Sequence, residues 1–314
     1  DRFVFTNDPD DAKDYDDAIN VESIPDGWRV GIHIADVSHY VKPKTALDHE
    51  AHSRGNSVYL ADRVIPMLPE ALSNGICSLK QGVDRLAFSV FADITQGGKI
   101  ASVRFAKTVI RSAARLTYKE AFAILSKKPG GDMLSERVHA AWGLSSMLRK
   151  KRFAAGSLEL DFPEIKVWLD ENGRPVRLEK VENDISHQLI EELMLLANEL
   201  VARELKHRKQ ATLYRIHEKP DNEKLLEFRD FAASQGISAG DLTQRRELQK
   251  LLAGLRGKPY AAAVRIAMTV GCLDPKPVTL ATVTHEEDHG DAEGYKIELR
   301  SSHNVIHPDL STGA

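Results

Sequence analysis

Seven aspartates fall within the first twenty residues: Asp1, Asp8, Asp10, Asp11, Asp14, Asp16 and Asp17, against only Arg2 and Lys13. Carboxylates this dense repel one another, and burial raises their pKa values unless a cation neutralises them. An all-oxygen donor set suits a hard divalent ion such as Mg²⁺, which keeps waters and substrate phosphates in its shell. In an extended segment Asp14 and Asp16 share one face and Asp17 points the other way. A turn at Asp8-Pro9 can fold Asp8 back toward them. Composition alone leaves two readings open, metal-assisted catalysis and a solvated acidic loop. A calcium EF-hand loop is excluded, because its sixth and twelfth positions require Gly and Glu, and counting from Asp8 they hold Lys13 and Ile19.

Other chemistry-bearing residues are weaker candidates. His285-Glu286-Glu287-Asp288-His289 fits the letters of the H-E-x-x-H zinc-peptidase pattern. That motif belongs on a helix with an apolar back face, whereas Thr282-Val283-Thr284 precedes it here and Gly290 follows. Two basic runs, Arg104/Lys107/Arg111/Arg115 and Arg149–Arg152, are phosphate-guiding candidates weighed against solvated surfaces. His33 and His39 sit among apolar strand residues and read as structural.

The elements that must position the aspartates begin with an alternating run, Trp28 to Val37, after the turn Pro25-Asp26-Gly27, which predicts a strand. Val58-Tyr59-Leu60 and Leu86–Phe91 predict further strands. Asn172-Gly173, between Ile165–Leu169 and Val176–Leu178, predicts a hairpin with a type I′ turn. Ile185, Leu189, Leu193, Leu196 and Leu200 recur at helical spacing, with Asp184 as N-cap and Lys206, His207 and Arg208 at the C-terminal end. A second helix is predicted from Asp221 to Gly236, and a third carries Leu248, Leu251, Leu252 and Leu255 before Gly257. Strands come first and helices later, which predicts one α/β or mixed α+β unit. No linker interrupts it before about residue 275, and the polar remainder has weak periodicity.

With 314 residues, 42% of them hydrophobic and 28% charged, the chain can bury a sizeable core. No run approaches the roughly 18 uninterrupted apolar residues of a spanning helix, so a membrane protein is not expected. The charged opening Asp1-Arg2-Phe3-Val4 has no apolar signal segment, and two cysteines, Cys77 and Cys272, are too few for a disulfide framework. A reducing, cytoplasmic setting is expected. The formal net charge of −3 gives no global attraction to nucleic acid, so any such binding must be local.

The stretch Asp8-Pro-Asp-Asp-Ala-Lys-Asp14-Tyr-Asp16-Asp17-Ala-Ile closely resembles the aspartate motif that opens the RNB domain of the ribonuclease II and ribonuclease R family. Ile34-Ala35-Asp36-Val37-Ser38-His39-Tyr40-Val41 resembles the next block. Arg54–Leu60 follows, running through Ile65–Pro69 to Leu72–Leu79, and then come Asp84-Arg85-Leu86-Ala87, Leu158–Glu164, the helix His187–Asn198 and Tyr214-Arg215-Ile216-His217. These blocks keep the family's order over roughly residues 1–270.

The resemblance implies a mixed β-sheet with helices packed around it, and the processive hydrolysis of single-stranded RNA from its 3′ end to nucleoside 5′-monophosphates. It implies Mg²⁺, with Mn²⁺ as a possible substitute, held by Asp8, Asp14 and Asp17. Asp16 matches the aspartate on which cleavage most depends, and Asp10 and Asp11 fall outside the matched ligand positions. Tyr59 matches an aromatic that stacks on a terminal base; by itself, a Tyr between Val58 and Leu60 reads as a core strand residue. The expected organisation is a catalytic domain over 1–283 and a divergent polar tail over 284–314. The family's Ser-Pro-Ile-Arg-Arg-Tyr block, whose arginine contacts the scissile phosphate, has no counterpart here, and Arg300 is not a match for it. A chain of this kind is expected to be either a truncated or divergent exoribonuclease core, or an RNB-fold RNA-binding protein impaired in cleavage.

Overall fold

The computed structural model describes residues 2–158, 164–210, 212–216, 221–255, 257–271, 279–282 and 297–298. The H-E-x-x-H segment, Arg300 and nearly all of the 284–314 tail lie outside the described residues. The chain divides into two compact units, residues 1–148 with 162–197, and residues 149–161 with 198–314.

The first unit is built on a six-stranded mixed sheet. Its strands are β1 (Phe5–Asp8), β2 (Asp17–Ile24), β3 (Gly27–Ala35), and, after two short helices, α1 (Val37–Tyr40) and α2 (Ala46–Arg54), and a small hairpin, β4 (Val58–Tyr59) with β5 (Val64–Ile65), the long pair β6 (Asp84–Thr95) and β7 (Ile100–Arg111), then β8 (Ala114–Thr117). The spatial order is β7-β6-β3-β2-β1-β8, antiparallel throughout except that β1 runs parallel to β8. Helices α3 (Tyr118–Leu125), α4 (Met133–Ala154) and α5 (Ile185–His207) follow, with the hairpin β9 (Glu164–Leu169) and β10 (Pro175–Val181) between the last two.

The central strands read as buried on both faces. Ala18, Ile19 and Val21 of β2 and Val30 and Ile32 of β3 are buried together with Phe5 of β1. Each of the larger side chains among them contributes about 1.5–3 kcal/mol by its burial. Polar residues share that interior, and His33 bridges two of them. His33 contacts Ser89 Oγ through Nδ1 at 2.7 Å and Asn20 Oδ1 through Nε2 at 2.9 Å. Burial pushes the His33 pKa down to about 4, so the ring is neutral at physiological pH, as a structural histidine should be. Gly31 stands opposite Asn20 in the register, and a Cβ there would meet Asn20 Oδ1 at 2.1 Å. Only glycine lets the Asn20–His33 bond cross between the two strands.

Helix α5 starts where its sequence predicts. Asp184 accepts from the Ser186 N–H at 2.8 Å, and Asn7 of β1 donates from Nδ2 to the Ser186 carbonyl at 3.1 Å, which ties the helix start to the strand that ends in Asp8. The hairpin after residue 163 forms as expected, but its turn is not type I′. Gly173 has φ 75°, while Asn172 is not at positive φ. The Gly173 N–H donates to the Asp170 carbonyl and the Asp170 N–H to the Arg174 carbonyl, with a register shift between Pro175 and Arg177. This is a type I turn closed by a bulge, and the Asp170 carboxylate favours it by accepting from the N–H groups of Asn172 and Arg174.

The second unit has its own core, formed by Leu225, Phe228, Ala232, Leu248, Leu251, Leu252, Val264 and Met268 among others. They come from α6 (Asn222–Ser234), α7 (Arg245–Gly254) and α8 (Ala261–Gly271). Asp221 caps α6 by accepting from the Glu223 N–H at 2.8 Å, and Gly236 and Gly257 follow α6 and α7 at φ 73°. Strand β11 (Leu213–Ile216) pairs with β12 (Thr279–Thr282), and β12 with β13 (Ile297–Glu298). No described helix is long and apolar enough to cross a membrane.

Candidate active site

The aspartates sit at one end of the central sheet because of its topology. β1 and β2 are antiparallel neighbours, so the end of β1 (Asp8) and the start of β2 (Asp17) fall at the same edge, joined by residues 9–16. Asp17 pairs with Ile34 across β2–β3, and the Asp16 carbonyl accepts from the Ala35 N–H at 2.9 Å, which continues the ladder one residue outward. Asp8 lies opposite Thr117 on β8, where Thr117 and Glu120 form the capping box of α3.

The connecting segment is held from beneath by Ser78, which is fully buried. Its hydroxyl accepts from the Tyr15 N–H at 3.0 Å and donates to the Lys13 carbonyl at 3.1 Å, while the Leu79 N–H donates to the Tyr15 carbonyl at 2.9 Å. Under this clamp lies a small core of Val4, Ala18, Ala35, Cys77, Leu79 and Ala87, against which Tyr15 packs. From the other side Arg115 Nη2 donates to the carbonyls of Pro9 at 2.8 Å and Asp10 at 3.2 Å. Sequence reasoning missed both Ser78 and Arg115 as positioning residues. Ser78 acts through backbone hydrogen bonds that no spacing reveals, and in sequence Arg115 is indistinguishable from the other members of its basic run.

Asp10 and Asp11 turn outward, as expected for carboxylates outside the ligand set. Asp10 pairs with Lys119, and Asp11 with Lys166 at 2.7 Å. The four remaining aspartates face one another electrostatically. Asp8 is buried, and burial pushes its pKa up to about 6; Thr6 and Arg115 oppose the rise, and the Asp16 and Asp14 charges add to it. Burial, then the Asp8 and Asp16 charges, push Asp17 up to about 7. Asp16 is the most exposed of the four, and burial of its carboxyl followed by the Asp14 charge still raises it.

Tyr59, at the end of β4, is 69% exposed and not a core residue. Burial of its hydroxyl, followed by the Asp14 and Asp16 charges, raises its pKa. Asp14 and Asp16 thus share one face, as the extended segment predicts. Val58, Leu60, Val64 and Ile65 are exposed around the tyrosine, making the β4–β5 hairpin an apolar surface beside a carboxylate cluster.

The first basic run is not a free phosphate track. Lys107 pairs with buried Asp36 at 3.0 Å, Arg111 with Asp84 at 2.7 Å, and Arg104 lies over the Phe91 ring at 4.4 Å.

A divalent cation is tested most directly by the donor atoms themselves. Asp8 Oδ2 is buried with no hydrogen-bond partner, as are Thr6 Oγ1 and Asn7 Oδ1 on the same strand. Two carboxyls held near pKa 6 and 7 by burial and by neighbouring carboxylate charge, with an orphaned oxygen on Asp8, are what a cation would relieve. Oxygen-only donors fit a hard ion. Among the described residues no three His, Cys, Asp or Glu side chains are already gathered at metal-holding spacing. The donor chemistry fits a hard divalent ion.

The chain as a whole is similar to known proteins. Residues 1–285 match the RNB domain. The chain belongs to the RNB family. Among its curated relatives is ribonuclease R of Thermotoga maritima, 41% identical over 271 residues, which cover 84% of this chain and 38% of that protein. The RNB chain described here thus spans well under half the length of such relatives. Among solved structures, ribonuclease R of Mycoplasma genitalium in complex with double-stranded RNA matches with a TM-score of 0.82 at 29% identity, over 90% of this chain and 50% of that one. The same enzyme with ribose-methylated single-stranded RNA matches with a TM-score of 0.81 at 28% identity, over 90% and 44%. Yeast Ssd1, a pseudonuclease, matches with a TM-score of 0.69 at 17% identity, over 86% and 33%, a likeness of fold alone.

Proposed function

We propose that residues 1–283 form the catalytic unit of a 3′-to-5′ exoribonuclease that hydrolyses single-stranded RNA to nucleoside 5′-monophosphates in the cytoplasm, with Mg²⁺, or Mn²⁺ in its place, held by Asp8, Asp14 and Asp17. The observation that carries this reading is the pair Asp8 and Asp17, the first buried and the second half-buried, both protonation-prone at the shared end of β1 and β2, with Asp8 Oδ2 unpartnered. Its RNB relatives lend support, since ribonuclease R of Mycoplasma genitalium has been solved with both double-stranded and ribose-methylated single-stranded RNA.

Asp8, Asp14 and Asp17 would supply carboxylate oxygens from the strand ends and the clamped segment. Bound there, Mg²⁺ would offset charge on the scissile phosphate and acidify a water for in-line attack. Asp16, the most open of the four, is placed to accept a proton from that water at its own carboxylate, and its raised pKa brings it closer to the pH at which a general base works best. Tyr59 offers an exposed ring on which the terminal base would stack, worth about 1–3 kcal/mol per base irrespective of sequence. Its hydroxyl lies within the field of Asp14 and Asp16, which sets the ring beside the metal ligands.

The test uses one RNA labelled in turn at either end, incubated with Mg²⁺. The proposal expects a ladder shortening from the 3′ end on the 5′-labelled strand and immediate release of mononucleotide from the 3′-labelled one. RNA bound but uncut with both labels would instead establish the second reading, an RNB-fold RNA-binding protein impaired in cleavage. Internal fragments from both labels would overturn the exonucleolytic assignment.

A further inference from the structure

The alternation that sends Asp14 and Asp16 toward Tyr59 sends their neighbours elsewhere. Lys13 and Tyr15 line a separate cavity of about 510 Å³ with Asn74, Lys80, Gln81 and Arg115. The lining contains three cations and no carboxylate, although it is threaded by the most acidic segment of the chain.

The polar atoms of this lining divide into committed and free. Gln81 is committed: Nε2 donates to the Ala113 carbonyl at 3.0 Å and Oε1 accepts from the Arg115 N–H at 3.3 Å. Arg115 is half committed. Nη2 holds the Pro9 and Asp10 carbonyls and the guanidinium lies 5.5 Å from the centre of the Tyr15 ring, but Nε is buried with no hydrogen-bond partner. Among the described residues neither the Lys13 nor the Lys80 ammonium has a hydrogen-bond or ion-pair partner. Asn74 sits in a π-helical turn, Ala71–Ile76, a distortion found frequently at functional sites. Its Oδ1 accepts from the Ser73 hydroxyl at 3.3 Å, which leaves the amide N–H groups as donors.

Two unpaired ammonium groups, an orphaned guanidinium N–H and the Asn74 amide N–H groups, with the Tyr15 hydroxyl beside them, make a donor-rich site. Such a set recognises an oxyanion, with lysines acting as point charges and the guanidinium as a directional donor. The volume lies within the roughly 300–1,000 Å³ of small-molecule sites, so there is room for more than a lone phosphate. We infer that this cavity binds the phosphate monoester of a nucleoside 5′-monophosphate, at a site distinct from the aspartate cluster. The choice of a nucleotide rests on the ribonuclease reading above; the choice of a phosphate rests on the cavity. Arg115 belongs to both sites, since it also holds the segment that follows Asp8, so occupancy of the cavity would bear on how that segment is set.

The experiment is isothermal titration calorimetry on the whole chain in EDTA, which removes metal-bridged binding at the aspartates. The ligands are AMP, inorganic phosphate and adenosine. The wild-type chain should bind AMP and phosphate, and adenosine at least tenfold more weakly than AMP. Lys13→Gln with Lys80→Gln should weaken both anions at least tenfold; because neither lysine has a partner, their loss strands no group, and circular dichroism should match wild type. Lys80→Gln alone provides a second variant should the double one misfold. Asp16→Asn should leave the affinities unchanged. No anion binding at millimolar concentration, adenosine binding as well as AMP, or AMP binding indifferent to both lysines would each overturn the inference, and phosphate binding without AMP binding would overturn its nucleotide half. A chain that binds AMP through Lys13 and Lys80 but leaves RNA intact defeats the ribonuclease reading and spares this site. A chain that degrades RNA while its AMP binding ignores both lysines does the reverse.

Discussion

Asp17→Asn should make the metal-free protein more stable, although it alters a residue assigned to the active site. In the folded chain, burial and the charges of Asp8 and Asp16 hold the Asp17 pKa at about 7, against 3.8 for an unperturbed aspartate. The folded state therefore binds this proton more tightly than the unfolded state. The stability it contributes is complete below pH 4 and is lost as pH rises through 7. Three pKa units correspond to about 4 kcal/mol, and because the shift is shared with Asp8 and Asp16, about 2 kcal/mol is the expected net effect. Asparagine keeps the shape and cannot ionise. In EDTA at pH 8 the variant should exceed wild type by about 2 kcal/mol, and at pH 4 the two should coincide within about 0.5 kcal/mol. Urea unfolding followed by tryptophan fluorescence measures this in the relevant unit, because Trp28, Trp142 and Trp168 all belong to the unit that carries the aspartates. Added Mg²⁺ should then stabilise wild type by mass action and the variant much less. A variant no more stable than wild type at pH 8, or equally stabilised at pH 4, would refute the argument that Asp17 is an uncompensated buried charge.

Three other perturbations follow from the same geometry. Tyr59→Ala should weaken single-stranded RNA binding by about 1–3 kcal/mol without unfolding the chain, read by fluorescence anisotropy; unchanged affinity would remove the ring from the RNA path. Ser78→Ala leaves the Tyr15 N–H and the Lys13 carbonyl without their partner and should cost about 1–3 kcal/mol of stability, with kcat falling more than RNA affinity; a loss in affinity alone would mean that the clamp does not set the aspartates. Gly31→Ala should destabilise by about 1–3 kcal/mol, as its Cβ would displace Asn20 from His33; a neutral effect in thermal unfolding would show that this contact relaxes freely.

The parts of the fold legible in the sequence are those written locally. Strand β3 shows in its alternation, α5 and α6 in their aspartate caps, and the ends of α6 and α7 in Gly236 and Gly257. The hairpin at Gly173 was legible as a hairpin but not as a turn type, because the Asp170 side chain, and not the Asn-Gly dipeptide, decides its geometry. The parallel pairing of β1 with β8 joins residues more than a hundred positions apart and leaves no periodic signature. Nor does the division into two units, which falls within the residues of α4 and α5 and so has no linker composition to mark it. At the site, the aspartate spacing placed Asp14 and Asp16 on one face. What separated Asp10 and Asp11 from the cluster was the position of Lys119 and Lys166, which only the tertiary structure provides. Likewise the basic residues looked alike in sequence, and their partners sort them: Lys107 is tied to Asp36, whereas Lys13 and Lys80 are left free for an anion.

The central claim is that the aspartate cluster performs the hydrolysis, with Asp16 acting on the transition state. Single-turnover decay of 5′-labelled single-stranded RNA with Mg²⁺, measured for wild type and Asp16→Asn beside their RNA affinities, tests it most directly. The account predicts affinities equal within about twofold and a cleavage rate lower by orders of magnitude in the variant, as expected for an interaction made only in the transition state. Cleavage by Asp16→Asn at the wild-type rate, or a loss of binding equal to the loss of cleavage, would contradict it.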